Sequence, residues 1–255
     1  MLLGLRLDTP ANFDASTERL ERAIRATWKR NTDRPAIDWG LYDPSALDGP
    51  QRRALAFLVR QLQHIAATSP ANLATLARFT PVSSLRAAYG AQIQDERTHG
   101  ALLARYASVI DARHAVRWEN RVACEVGRRM QQHPYIGAVA VLMSIEFYAT
   151  ALLDEVLQRV EEPLLHAVLR HIQVDEARHR VLAVEAVQVL HQAGLGSERL
   201  TRARLTLCRR VVDFYFSHII APSMDRFAGA LGLHGREVFE RARDEMNDEL
   251  RQAVH

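Results

Sequence analysis

Apolar residues recur every three or four positions along most of the chain, a spacing that places them on one face of an α-helix. Sustained alternation of apolar and polar residues, which would indicate strands, is absent. We therefore predict an all-α protein. The pattern predicts helices over residues 16–30, 51–68, 81–110, 112–132, 136–157, 163–193, 197–232 and 235–253.

Proline and glycine set the predicted boundaries between these helices. Residues 31–50 contain three prolines and two glycines, which is typical of a long surface connection, and we expect Trp39 and Tyr42 to attach it to the helices. Pro70 is expected to begin a separate turn or short helix that ends near Thr80. We expect Pro222 to interrupt or kink the helix over residues 197–232.

The composition narrows the class of protein. A chain of 255 residues with 48% apolar residues can bury a sizeable core. It has no run of 18 apolar residues, and its apolar start is too short for a signal peptide, so we expect a cytoplasmic protein with no membrane partner. Its net charge of +3 comes from acidic and basic residues that alternate, so we expect no nucleic-acid partner. Cys124 and Cys208 lack CxxC spacing and predict neither a disulfide framework nor a zinc site.

One short pattern occurs twice. Asp95-Glu96-Arg97-Thr98-His99 is followed 80 positions later by Asp175-Glu176-Ala177-Arg178-His179. Glu and His three residues apart stand on one face of a helix, so each copy offers a carboxylate oxygen and an imidazole nitrogen to a shared point. A single Glu-x-x-His match is expected by chance in a chain of this length and would indicate little. Two copies with the same preceding Asp are improbable by chance, and they predict two halves of one metal site. A buried network of hydrogen bonds or ion pairs is the alternative.

A third acidic position stands out between the two copies. Glu146 is surrounded by apolar residues in the most apolar predicted helix. An unpaired buried charge costs many kcal/mol, so this carboxylate needs a partner, and a bound cation is a natural one.

These motifs resemble those of the ferritin-like di-iron carboxylate oxygenases, which include the small subunit of ribonucleotide reductase and the arylamine N-oxygenases. The resemblance covers roughly residues 50–195. It implies a ferritin-like four-helix bundle with additional helices, which form a single domain over residues 1–255. It also implies that Asp95 and Asp175 orient the ligand imidazoles. The metal ligands that it implies are Glu96, His99, Glu146, Glu176 and His179.

Two positions depart from the family pattern. The carboxylate expected on the helix over residues 51–69 is missing, because no Asp or Glu occurs between Asp48 and Asp95. Superposing the halves places Ala66 opposite Glu146, and Gln63 or His64 is the alternative ligand from that helix. The arylamine N-oxygenases have an additional histidine at the position of Ile172. Here His171 could reach the metal only through a one-residue π-bulge.

The resemblance implies a non-haem di-iron enzyme that activates O2 to oxidise a small organic substrate, by hydroxylation or amine N-oxygenation. The expected cofactor is two iron ions, with manganese as the alternative. An electron donor and a second copy of the chain in a homodimer are further expected partners. The alternative is a non-catalytic relative that binds metal or a partner through an incomplete ligand set. Iron storage is a weaker third reading, since storage bundles are usually shorter.

Overall fold

The computed structural model describes residues 36–80, 82–112, 136–192 and 199–254, and all regular structure in these ranges is helical. This confirms the all-α prediction for the described ranges. The predicted helix over residues 16–30 and nearly all of the one over residues 112–132 lie outside them. The α-helices are α1 (Gly49–Phe79), α2 (Ser83–Val109), α3 (Ile136–Arg159), α4 (Pro163–Gln192), α5 (Arg199–Tyr215), α6 (Ala221–Ala228) and α7 (Gly235–Val254).

The four longest helices form the part of the bundle that carries the repeated motif. Helix α1 packs against α2 and α3, and α4 packs against the same two helices. Helices α5 and α7 pack against α3, and α6 packs against α1 and α7. The face of each long helix that carries apolar residues is therefore enclosed, and α2 and α4 place their two motifs next to each other.

Helix α1 begins at a capping box. The Asp48 carboxylate accepts a hydrogen bond from the Gln51 backbone N–H at 2.8 Å, and the Gln51 side chain accepts one from the Asp48 N–H at 2.9 Å. Two N–H groups that have no partner within the helix are satisfied in this way. The connection before the helix is fixed by packing, because Trp39 and Tyr42 lie against the core as predicted.

The prediction that the helix ends before Pro70 is wrong. Pro70 lies inside α1, which continues to Phe79. Proline cannot donate to the carbonyl of Ala66, which costs about 3 kcal/mol in a helix interior. The buried side chains of Leu62, Leu73 and Leu76 lie on both sides of the proline, so continuous packing of this face outweighs the local cost.

The start of α2 also differs from the prediction. Thr80 ends α1, since its backbone N–H donates to the Leu76 carbonyl at 2.9 Å. Helix α2 begins at Ser83, after Val82 in extended conformation, and no side chain caps it. The sequence predicts a helix from residue 81, whereas Thr80 closes the preceding helix and the next one begins two residues later than predicted.

The predicted interruption near Pro222 is confirmed. Helix α5 passes into a π-helical segment, Phe216–Ile220, and then into α6, where Pro222 stands in the first turn. Proline has no N–H for the carbonyl four residues earlier, and a wider π turn changes which carbonyls need a donor. Among the described helices, none is long and apolar enough to cross a membrane.

Candidate metal centre

The two copies of the repeated motif face each other in the interior of the bundle. Glu96 and His99 lie near the middle of α2, and Glu176 and His179 lie near the middle of α4. All four side chains are buried, and each imidazole is about 1% exposed. Helical spacing places Glu and His of each copy on the face that the other helix covers, as the sequence predicts.

Glu96, His99 and Glu176 form the first of two groups with the spacing of metal ligands. One ligand atom from each lies within 4.8 Å of the others. The Nδ1 atom of His99 is 3.4 Å from Oε1 of Glu176. Carboxylate and imidazole atoms from two helices therefore converge on one point.

Glu96, Glu146 and His179 form the second group, with the same spacing. The Nδ1 atom of His179 is 3.4 Å from Oε1 of Glu96, 3.5 Å from Oε2 of Glu146 and 3.7 Å from Oε2 of Glu176. Glu96 belongs to both groups. The structure thus brings together all five residues that the sequence singles out.

Each motif orients the histidine of the other. The Nε2 atom of His99 on α2 is 3.0 Å from Oδ2 of Asp175 on α4, and Nε2 of His179 on α4 is 3.4 Å from Oδ2 of Asp95 on α2. An N–H at Nε2 that donates to a carboxylate leaves Nδ1, which faces the cluster, with its lone pair. The orienting role that the resemblance implies for these aspartates agrees with this geometry.

Arg178 joins the two aspartates on the far side from the glutamates. Its Nη2 atom donates to Oδ1 of Asp175 at 2.5 Å and to Oδ2 of Asp95 at 3.1 Å. One guanidinium thus partly neutralises two buried carboxylates. Arg178 is not among the candidate residues that the sequence predicts, although its place within the second motif indicates a part in the same network.

Gln92 is the second residue that sequence reasoning missed. It is buried one turn before Glu96 on α2, and its Nε2 donates to Oε1 of Glu146 at 2.7 Å. Gln92 stands four residues before the predicted ligand Glu96, so the two side chains share one face of the helix. That spacing was the available signal.

Four of the five residues of the cluster have raised pKa values. Burial raises the pKa of Glu96, and it raises the pKa of Glu146 to about 8. Burial opposes protonation of His99, but hydrogen bonds to Asp175 and Glu176 outweigh it and raise its pKa to about 9. Burial likewise opposes protonation of His179, yet its carboxylate neighbours raise that pKa well above the ordinary value. At neutral pH, the cluster without a metal therefore retains protons that a cation could replace.

Glu162 shows how this protein satisfies a buried carboxylate without a metal. It is fully buried at the start of α4 and accepts hydrogen bonds from the Tyr106 hydroxyl and from the backbone N–H groups of Asp43, Leu164 and Leu165. The carboxylates of the cluster instead face one another and the imidazoles. His179 Nδ1 even lacks a hydrogen bond of good geometry. Five buried residues thus bring carboxylate oxygens and imidazole nitrogens within 3.4–3.7 Å of one another, a set of atoms that fits metal ions.

Helix α1 contributes no ligand to this cluster. It faces the cluster with Leu62, Ile65 and Ala66, which line a cavity of about 30 Å³ together with Glu96, His99, Glu146 and Glu176. Ala66 therefore lies where the superposition of the two halves places it. Neither of the alternative ligands, Gln63 and His64, lines this cavity, and Gln63 accepts a hydrogen bond from Arg60 at 2.8 Å.

The π-bulge that would bring His171 to the metal is absent. Helix α4 is α-helical from Pro163 to Gln192, so His171 points away from Glu176. Its side chain lines a different cavity of about 520 Å³, together with Trp39, Arg105 and Asp175. Ile172, which is buried, lines the cavity beside the cluster instead.

No family model, curated protein or solved structure matches this chain. The resemblance to the ferritin-like di-iron oxygenases therefore rests on the sequence motifs alone.

Proposed function

We propose that the chain is a non-haem dinuclear metal oxygenase or oxidase of the ferritin-like type, which activates O2 to oxidise a small organic substrate. One observation carries the proposal: Glu96, His99, Glu146, Glu176 and His179 converge in two overlapping groups inside the bundle. Glutamates and Glu-x-x-His pairs that project inward from the helices of a bundle are the ligand plan of di-iron carboxylate proteins.

The donor set favours iron, with manganese as the alternative. Both groups combine carboxylate oxygens with an imidazole nitrogen and contain no thiolate, a mixture that suits iron or manganese with positions left for oxygen or substrate. Iron in this site would supply the redox chemistry. Hydroxylation and amine N-oxygenation are the reactions that the resemblance favours.

The chain itself would position the ligands and exclude water. Glu96 would be shared between the two metal positions, and Asp95 and Asp175 would hold the imidazoles in the tautomer with a free Nδ1. Leu62, Leu103 and Leu153 line the cavity next to the carboxylates. An apolar wall of this kind keeps bulk water from the reacting centre.

Anaerobic loading with ferrous iron tests this proposal. We expect two irons per chain after removal of unbound metal, and then consumption of O2 with a change in the visible spectrum when air is admitted. A matched control is Glu240→Ala, which removes an exposed carboxylate on α7 and should change neither result. A chain that takes up no stoichiometric iron would contradict the proposal.

A second candidate function is supported by the face of α1. Because Ala66 and its neighbours provide no carboxylate, the ligand set is one short of the family plan. The chain would then bind metal, or a partner, without oxygen chemistry. Stoichiometric metal uptake without O2 consumption in the same experiment would favour this function.

A further inference from the structure

A cleft lies beside the two aspartates of the repeated motif. Its volume of about 520 Å³ falls within the range of small-molecule sites, about 300–1,000 Å³. Helices α2 and α4 form its walls, together with the segment before α1. Asp95 and Asp175 line the cleft and are themselves buried, so they lie at its floor. The five residues of the cluster do not line it, and the cleft is therefore a separate site.

The motifs set the register of the two helical walls. Each histidine lies opposite the aspartate of the facing helix, so α2 and α4 run antiparallel, with Asp175 about level with His99. In this register His171 on α4 is about level with residue 103 of α2, and Arg105 stands about half a turn further along α2. Both side chains line the cleft, so a guanidinium and an imidazole lie at the same end of it.

The two aspartates lie at the other end of the cleft. Asp175 is about level with His99, which places it roughly 9 Å from the level of Arg105 along the helix axis. Arg105 is exposed, whereas Asp95 and Asp175 are buried. The cleft therefore has a basic end at its opening and an acidic end at its floor.

Trp39 fixes the guanidinium of Arg105 at the basic end. The Cζ atom of Arg105 is 4.1 Å from the centroid of the Trp39 ring, within the range of a cation–π contact. This contact uses the flat face of the guanidinium and leaves the N–H groups in its plane, where they can donate two parallel hydrogen bonds to a carboxylate. Among the residues that the structure describes, none accepts a hydrogen bond from Arg105. Arg105 is therefore held ready for a planar anion.

The rest of the cleft determines what such an anion must look like. Ile37, Ala101 and Leu102 add apolar surface to the lining, which suits a flat apolar body. The single charge of Arg105 matches one negative charge, and a second one on the ligand would approach the carboxylates of the floor. Carboxylate oxygens have several lone pairs, so a hydroxyl at the inner end of the ligand would find an acceptor at Asp95 or Asp175.

We propose that this cleft binds a small organic monocarboxylate with a flat apolar body, whose carboxylate is held by Arg105. The other end of the ligand lies toward Asp95 and Asp175. The inference goes beyond the proposed function and does not depend on a metal, because none of the residues that would hold the ligand is a proposed metal ligand.

Calorimetric titration of the full chain with cinnamate tests this inference. We expect saturable binding of one cinnamate per chain. Cinnamamide, which has the same shape but no charge, should bind at least tenfold more weakly. para-Hydroxycinnamate should bind more tightly than cinnamate, because its hydroxyl can donate to the floor. para-Carboxycinnamate should bind more weakly, because its second carboxylate approaches the aspartates.

Variants of α2 locate the ligand. Arg105→Gln removes the charge at an exposed position and should weaken cinnamate binding at least fivefold. Arg105→Lys keeps the charge without the planar pair of donors and should give an intermediate affinity. Arg97→Gln is the matched control, since Arg97 is exposed on the same helix and does not line the cleft. Its affinity for cinnamate should be unchanged.

Each contrary result has a distinct meaning. A chain that binds no cinnamate overturns the inference. Equal binding of cinnamate and cinnamamide overturns the assigned ligand class, and equal binding by Arg105→Gln and the unaltered chain overturns the assigned location. A chain that binds cinnamate as expected but takes up no stoichiometric iron refutes the proposed metal centre alone.

Discussion

The half of the cluster around Glu146 and the half around Ala66 share the same arrangement of helices and motifs. They differ in the side chains that the neighbouring helices contribute. Each contains Glu96 and one of the two histidines, and both imidazoles are oriented by an aspartate of the facing helix. Only the Glu146 half adds a further carboxylate with its own donor, Gln92. The Ala66 half instead has a small cavity, which apolar residues of α1 line together with residues of the cluster.

A repeated motif alone therefore does not define two equal metal positions. The motifs supply the ligands that the two halves have in common, whereas α1 and α3 supply those that differ. We therefore expect a tight metal position at Glu146 and His179, and a weaker one at His99.

The largest effect is expected from Glu96→Ala, because Glu96 is the residue that belongs to both groups. We predict loss of both metals, measured as metal per chain after desalting. Glu240→Ala on the exposed face of α7 serves as the control. Retention of two metals by Glu96→Ala would show that the groups do not share this ligand.

The two halves can be separated by removing one ligand from each. Glu146→Ala should abolish the tighter metal position, and His99→Ala the weaker one, so that each variant retains a single metal. We expect the metal that remains in His99→Ala to bind at least tenfold more tightly than the one that remains in Glu146→Ala. Equal affinities in a calorimetric titration of both variants would contradict the inequality of the halves.

The support of Glu146 by Gln92 predicts a smaller effect. Gln92→Leu removes the 2.7 Å hydrogen bond without removing a ligand. Loss of an outer hydrogen-bond partner typically weakens metal binding about 10- to 100-fold, and we expect this range for the tighter position. Thr98→Val on the exposed side of the same helix is the control. An unchanged metal affinity in Gln92→Leu would show that Gln92 does not support the tighter metal position.

The smallest predicted effect is a pH dependence of the protein without metal. The pKa of Glu146 is raised to about 8 and that of His99 to about 9, so the folded chain holds more protons than the unfolded chain between about pH 4.5 and 9. Its stability should therefore fall as pH rises through this window. We expect the Tm to fall by several degrees between pH 6 and 9 in the metal-free protein, and by less when metal is bound.

Much of this arrangement could be predicted from the sequence, because helical spacing determines which residues share a face. The positions of Glu96, His99, Glu176 and His179 follow from the motif. The convergence of Glu146 with them follows from an isolated charge in an apolar helix. Most helices follow from periodicity, although the continuation of α1 through Pro70 does not, because tertiary packing of Leu73 and Leu76 decides it.

The remaining features depend on contacts between helices that periodicity does not describe. The crossing of Asp95 and Asp175 to the opposite histidines depends on how α2 and α4 face each other. The hydrogen bond from Gln92 joins residues 54 positions apart. Whether Ala66, Gln63 or His64 faces the cluster depends on the rotation of α1 about its axis, which is set by all of its packing partners.

A calorimetric titration of the metal-free chain with Mn²⁺ under anaerobic conditions tests the central claim most directly, since it counts the metal positions and compares their affinities without oxygen chemistry. We predict two binding steps of unequal affinity that sum to two ions per chain, with the tighter step lost in Glu146→Ala. Absence of binding, or a single step of one ion per chain that persists in Glu146→Ala, would contradict the account.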